Sequence, residues 1–189
     1  LCKTIKYLSN KEVTFSRLEG TFKNLGTRGD TTTLAKLIKF LPTQAFIEFL
    51  VNAFLSKPQA IELAFDSSVH VLSIWQAELP NDKLLANSLV LSDKYQYGLI
   101  DKYKLLKSTQ VALDCANGLY KSGGCGDKSY HAAYSVCHIH SSPLKSCVSA
   151  SKADPSYKHS FLIPWLINNL DKKDENKRVL VRKALSRHL

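Results

Sequence analysis

Between residues 125 and 147 the chain gathers its most reactive side chains: Cys125, His131, Cys137, His138, His140 and Cys147. Thiolate and imidazole are the ligands that a tetrahedral zinc site uses. On a helix, His131 and His138 would lie two turns apart on one stripe. The finer spacing works against a metal. Cys137 and His140 are three apart, His138 and His140 point to different sides, and no CxxC or HxxxH pattern is present. Packed or surface histidines beside a buried thiol are the simpler reading. A small metal-binding helical protein, using His131, Cys137, His138 and His140, is therefore the third functional alternative. A Cys–His nucleophile built on Cys137 or Cys147 stands below it, because nothing around either thiol marks it as activated.

Other chemistries leave weaker traces. TRGDTTT (27–33) and KSGGCGDKS (121–129) lack the GxxxxGK[ST] spacing of a phosphate loop, and read as connectors. The acidic residues are scattered, with no pair placed for acid–base work. No cofactor is implied, and no catalytic set emerges. The basic residues carry more signal. Net charge is +10 and the pI about 9.4, so the surface attracts polyanions or an acidic protein. Lys94, Tyr97, Lys102 and Lys104, with Tyr95 and Tyr103 among them, interleave charge with rings. Lys177, Arg178, Arg182 and Lys183 form a second cluster in a basic C-terminal segment. Rings stack on unpaired bases and cations neutralise phosphates, so these eight residues are the candidate nucleic-acid contacts. An ordinary solvated face with half-buried tyrosines is the plainer reading.

Helices must position all of this. The central stretch, Ile61 to Tyr120, reads as three in a row. Pro58 suits a first helical turn, Gly98 a left-handed stop, and Asp101 an N-cap. Leu106, Thr109, Leu113, Ala116 and Tyr120 recur at three and four residues, predicting the inner face of the third. Upstream, Asp30 is expected to cap a helix over 31–41, ended by Pro42, and Thr43 to cap QAFIEFLVNAFLS. That last segment is apolar almost all round, so it is either central or covered by a second copy in a homodimer. Downstream, Asp127 is expected to cap a helix over 128–141 with Tyr130, Ala133, Tyr134, Cys137 and Ser141 on one face. Ser142-Pro143 and Asp154-Pro155 open two more, Pro164 kinks the second, and Asp174 caps a last one. Residues 3–8 suit a short strand, and 13–25 a helix ending at Gly26.

The sum is an all-α fold: one multi-helix, orthogonal or bundle-like domain, with room for a short N-terminal strand. It divides into an N-terminal part (1–60), a helical core (61–151) and basic C-terminal helices (152–189). No apolar run reaches the roughly 20 residues of a membrane-spanning helix. Methionine is absent. Five cysteines at low density argue against a disulfide framework, although Cys115/Cys125 and Cys137/Cys147 share a spacing of ten. Unpaired thiols lead to the expectation of a cytoplasmic protein.

VHVLSIWQAELPNDKLLANSLVLSDKYQYGLI resembles a motif of a family of bacterial immunity proteins, small helical proteins grouped with immunity to polymorphic toxins. In that pattern a helix with a terminal aromatic and acidic residue, here Trp75 and Glu78, meets a Pro-Asp-rich turn, here Pro80 to Asp82. The next helix ends at a glycine, here Gly98. YHAAYSVCHIHSS is similar to the family's histidine-bearing helix. The likeness covers roughly residues 65–151. It departs from the pattern where LLAN replaces an arginine after the turn, and in its lower alanine content. The resemblance implies an all-helical fold and a stoichiometric protein-binding role, and carries over no functional residues.

The leading expectation is thus a non-catalytic helical module of immunity or anti-defence type, from bacterial or phage conflict, gripping an acidic toxin or defence component. A nucleic-acid-binding protein is the alternative.

Overall fold

In the computed structural model of the chain, residues 12–14, 31–33, 38 and 41–169 are described. Seven α-helices dominate that part. They are α1 (Thr43–Phe49), α2 (Lys57–Glu78), α3 (Leu84–Gln96), α4 (Lys102–Lys121), α5 (Asp127–Cys137), α6 (Pro143–Ala153) and α7 (Ile163–Asn169). Wider π-helical turns follow α1, over Leu50–Phe54, and precede α7, over Lys158–Leu162. Two short strands, β1 (Glu12–Thr14) and β2 (Thr31–Thr33), pair antiparallel with Glu12 opposite Thr33.

The all-α expectation is met, and the differences from it have local causes. The helix expected over 31–41 does not begin at Asp30: Thr31–Thr33 is β2, and Ile38 is helical. Three successive β-branched residues favour extended backbone over helix. The strand is at 12–14, overlapping the start of the span expected as helix; the strand expected at 3–8 lies outside the described residues, as does the helix after Asp174. Pro42, not Thr43, takes the N-cap position of α1. Gly126, not Asp127, takes that of α5, and α5 stops at Cys137 rather than 141.

Elsewhere the local signals work as read. At Ser56 the Gln59 side chain accepts from the Ser56 N–H at 3.0 Å, with Pro58 in the first turn of α2. Asp101 accepts from the Lys104 N–H at 2.7 Å to start α4, and Ser142 caps α6 with Pro143 behind it. After α3, Gly98 has φ of 67°. Its N–H bonds the Tyr95 carbonyl and that of Leu99 the Lys94 carbonyl, closing a Schellman motif. The turn before Pro164 opens to π geometry, with the Ile163 N–H reaching the Lys158 carbonyl, which makes room for a ring that would clash one turn back.

The core is one cluster from Leu41 to Leu166. Helices α2, α5 and α6 pack on one another at its centre, with α4 against α5, α3 against α4, and α1 against α6. Phe46, Ile47, Phe49 and Leu50 are all buried within the chain. Val51, Phe54 and Leu55, beyond α1, are partly buried against the same core. The crossing of α2, α5 and α6 is built from hydroxyls rather than bulk. Ser68 Oγ lies 2.9 Å from Ser135 Oγ and 3.2 Å from Ser146 Oγ, and both Ser68 and Ser146 donate to the Ala64 carbonyl. Small side chains let the backbones approach, and the buried hydroxyls of Ser68, Ser135 and Ser146 partner one another.

The last helix is tied back by polar contacts. Trp165 Nε1 donates to Asp66 Oδ2 at 2.7 Å, and Lys158 Nζ donates to the Leu41 carbonyl at 2.7 Å.

Candidate functional site

Because α5 ends at Cys137, the histidine cluster is not one helical stripe. His138 is the C-cap residue, and its Nδ1 donates to the Tyr134 carbonyl at 2.9 Å while its ring stacks on Tyr134 at 4.0 Å. His140, in the following turn, donates from Nε2 to the Ser92 carbonyl at 3.2 Å and meets Tyr95 edge-on. His131 stands two turns before His138. Burial lowers the pKa of all three: Lys152 adds to the effect at His131 and Lys145 at His138, while a carbonyl hydrogen bond opposes it at His138 and His140. Burial thus favours the neutral imidazole at all three.

The thiols are equally quiet. Burial, with a smaller push from Asp114, takes Cys137 up to about 12, and burial takes Cys147 up to about 12. Burial thus disfavours the thiolate form at both. Cys115, Cys125, Cys137 and Cys147 are all free, so neither ten-residue pair is a disulfide. Among the described residues no group of His, Cys, Asp and Glu converges as a metal would require. His131, Cys137, His138 and His140 are thus placed individually, by packing and carbonyl bonds.

The Lys/Tyr segment is brought together. Gly98 turns the chain between α3, which carries Lys94, and α4, which carries Lys102, Tyr103 and Lys104, with Tyr97 at the close of α3. All five are exposed, Tyr103 at 75%. The periodicity misplaced what lies beside them. The inner face of α4 is Leu105, Ala112 and Ala116, while Leu106 is 47% and Tyr120 43% exposed. Ala112 and Ala116 allow close approach to α5, which rotates Leu106 outward. Leu106 joins Leu99 and Val111 as large aliphatic side chains in solvent, beside Lys102, Lys104 and Lys107. Lys177, Arg178, Arg182 and Lys183 lie outside the described residues.

A second surface feature escaped the sequence reading. A groove of about 450 Å³ runs between α1, α5 and α6. Gln44 and Glu48 line it from α1, Tyr130, His131 and Tyr134 from α5, and Leu144, Lys145, Val148, Ser149 and Lys152 from α6. Its ring wall continues outward: Tyr130 stacks on Tyr120 at 4.6 Å and meets Tyr134 at 5.9 Å. Tyr130 Oη is anchored on Asn117 Oδ1 and Tyr120 Oη on Asp127 Oδ1. Asp127, expected to cap α5, holds Tyr120 instead. The tyrosines at 130 and 134 were visible as one face; the approach of α1 and of the α6 lysines was not.

Comparison with protein-family models, with curated proteins and with solved structures finds no match. The fold and these two surfaces therefore stand on their own physical features.

Proposed function

We propose that the protein is a non-catalytic helical binding module whose partner is an acidic protein, docked on the exposed face of α4 and the turn before it. The immunity-type resemblance carries the idea of a stoichiometric partner, and the proposal places that partner on this face. The observation that supports it is the mixture of Leu99, Tyr103, Leu106 and Val111, in solvent, with Lys94, Lys102, Lys104 and Lys107 around them. Scattered apolar residues on a surface need no explanation; four exposed on one helix and its lead-in turn, in a stretch that interleaves them with lysines, favour a partner. Aliphatic side chains gain nothing from phosphate or sugar, so their presence favours protein over nucleic acid. The lysines then supply steering toward a negative surface. Four unpaired cysteines among the described residues suit a reducing compartment such as the cytoplasm. No described helix is long and apolar enough to cross a membrane.

The rings keep a second reading open. Tyr97 and Tyr103 among Lys94, Lys102 and Lys104 could instead stack on the bases of a single strand. One experiment separates the two. A photoreactive residue replacing Tyr103, expressed in the source cells, should form a discrete protein adduct. The same residue at Ser73, an exposed position on α2, should not. The adduct should be lost with Leu106→Asp. Adducts made of nucleic acid, or identical profiles from the two positions, refute the protein-binding proposal.

A further inference from the structure

We infer that the groove between α1, α5 and α6 is a purine-nucleotide site, with guanine preferred over adenine. It stands apart from the α4 face and does not depend on that reading. Three kinds of wall meet in it. Tyr130 and Tyr134 line it with rings; Tyr120 stacks on one face of the first and His138 on one face of the second, so a base takes the opposite face. Lys145 and Lys152, exposed at the rim, are seven residues apart on α6, about 10 Å along the axis. They mark the two ends: Lys145 acts on His138 and Lys152 on His131. A base lying between them leaves its 5′-phosphate within reach of one ammonium.

The third wall selects the base. Gln44 Nε2 donates to Glu48 Oε1 at 3.1 Å. That bond orients the pair and leaves Glu48 Oε2 and the second lone pair of Glu48 Oε1 as acceptors. Guanine presents adjacent N1–H and N2–H donors, which a carboxylate accepts in parallel. Adenine offers its single amino group beside an acceptor, which the carboxylate repels. An anionic peptide suits the site less well, because its carboxylates would meet Glu48 opposite the lysines. The volume, about 450 Å³, falls in the small-molecule range.

The test is titration of the intact protein with GMP, AMP and inorganic phosphate by calorimetry and by nuclear magnetic resonance of the histidine rings. GMP should bind about tenfold more tightly than AMP, the discrimination expected of one good paired contact. Glu48→Gln should erase that preference while retaining binding. Lys145→Gln with Lys152→Gln should weaken GMP by at least tenfold without unfolding the protein, since both side chains are exposed. The bound phosphate should raise the pKa of the histidine beside it, His131 or His138. No GMP binding at millimolar concentration, phosphate binding as well as GMP, or a complex that moves neither histidine would each overturn the assignment.

Discussion

Asp154 shows how much a single side chain holds at the close of α6. Its Oδ1 accepts from the Ser156 N–H at 2.8 Å and the Ser156 hydroxyl at 2.6 Å; its Oδ2 accepts from His70 Nε2 at 2.8 Å and Ser160 Oγ at 3.0 Å. The carboxylate thus fastens the turn after α6 to the middle of α2. Burial alone would raise its pKa, but the hydrogen bonds from Ser156, His70 and Ser160 outweigh burial and bring it down to about 2. A folded pKa below the unfolded one stabilises the fold above the unfolded value, and the contribution disappears as pH falls through the folded value. Asp154→Ala should therefore cost about 2 kcal/mol at neutral pH. The gap from the parent protein should hold down to about pH 4 and narrow toward pH 2. Urea unfolding at a series of pH values measures it. A gap that instead widens on acidification would mean the hydrogen-bond pattern at Asp154 is misread.

At the scale of elements, the ends of helices were more legible than their faces. Pro58, Asp101, Ser142-Pro143 and Gly98 were readable because a cap or stop acts within four residues of itself. Faces depend on neighbours far away in the chain. The apolar periodicity of α4 pointed to Leu106, Thr109, Leu113, Ala116 and Tyr120; Ala116 is buried and Leu113 packs on the core, but Leu106 and Tyr120 are exposed, and Leu105 and Ala112 are buried instead. The serine crossing was hidden for the same reason: Ser68, Ser135 and Ser146 read as surface residues until three helices converge on them. The candidate groove needed α1 to pass beside α6, which no local pattern encodes. The Schellman motif at Gly98 offers a clean test of a local signal. A Cβ there would meet nothing within 4 Å, so only the positive φ of 67° opposes a side chain. Gly98→Ala should cost about 1 kcal/mol, and Gly98→Asn less. Thermal unfolding of the two variants checks it; equal losses would point to packing instead of backbone strain.

Over the whole molecule, burial and charge divide the labour between the interior and one flank. Trp75, Tyr157, Phe46, Phe49 and Leu50 lie almost wholly inside, so the described helices keep their largest side chains in one core. Against that background, Leu99 at 70% and Leu106 at 47% exposure contribute little to holding the helices together. Were they marginal core residues, exchanging them for carboxylates would cost several kcal/mol. As parts of a docking face they should be replaceable without loss of fold. The double variant Leu99→Glu, Leu106→Glu should therefore unfold within about 0.5 kcal/mol of the parent in urea. The same change sets two negative charges among Lys102, Lys104 and Lys107, and should abolish recovery of the protein adduct formed from position 103. Stability and binding must separate for the docking proposal to hold. Loss of both together would place the two leucines in the folding core, and loss of neither would remove the α4 face as the docking site.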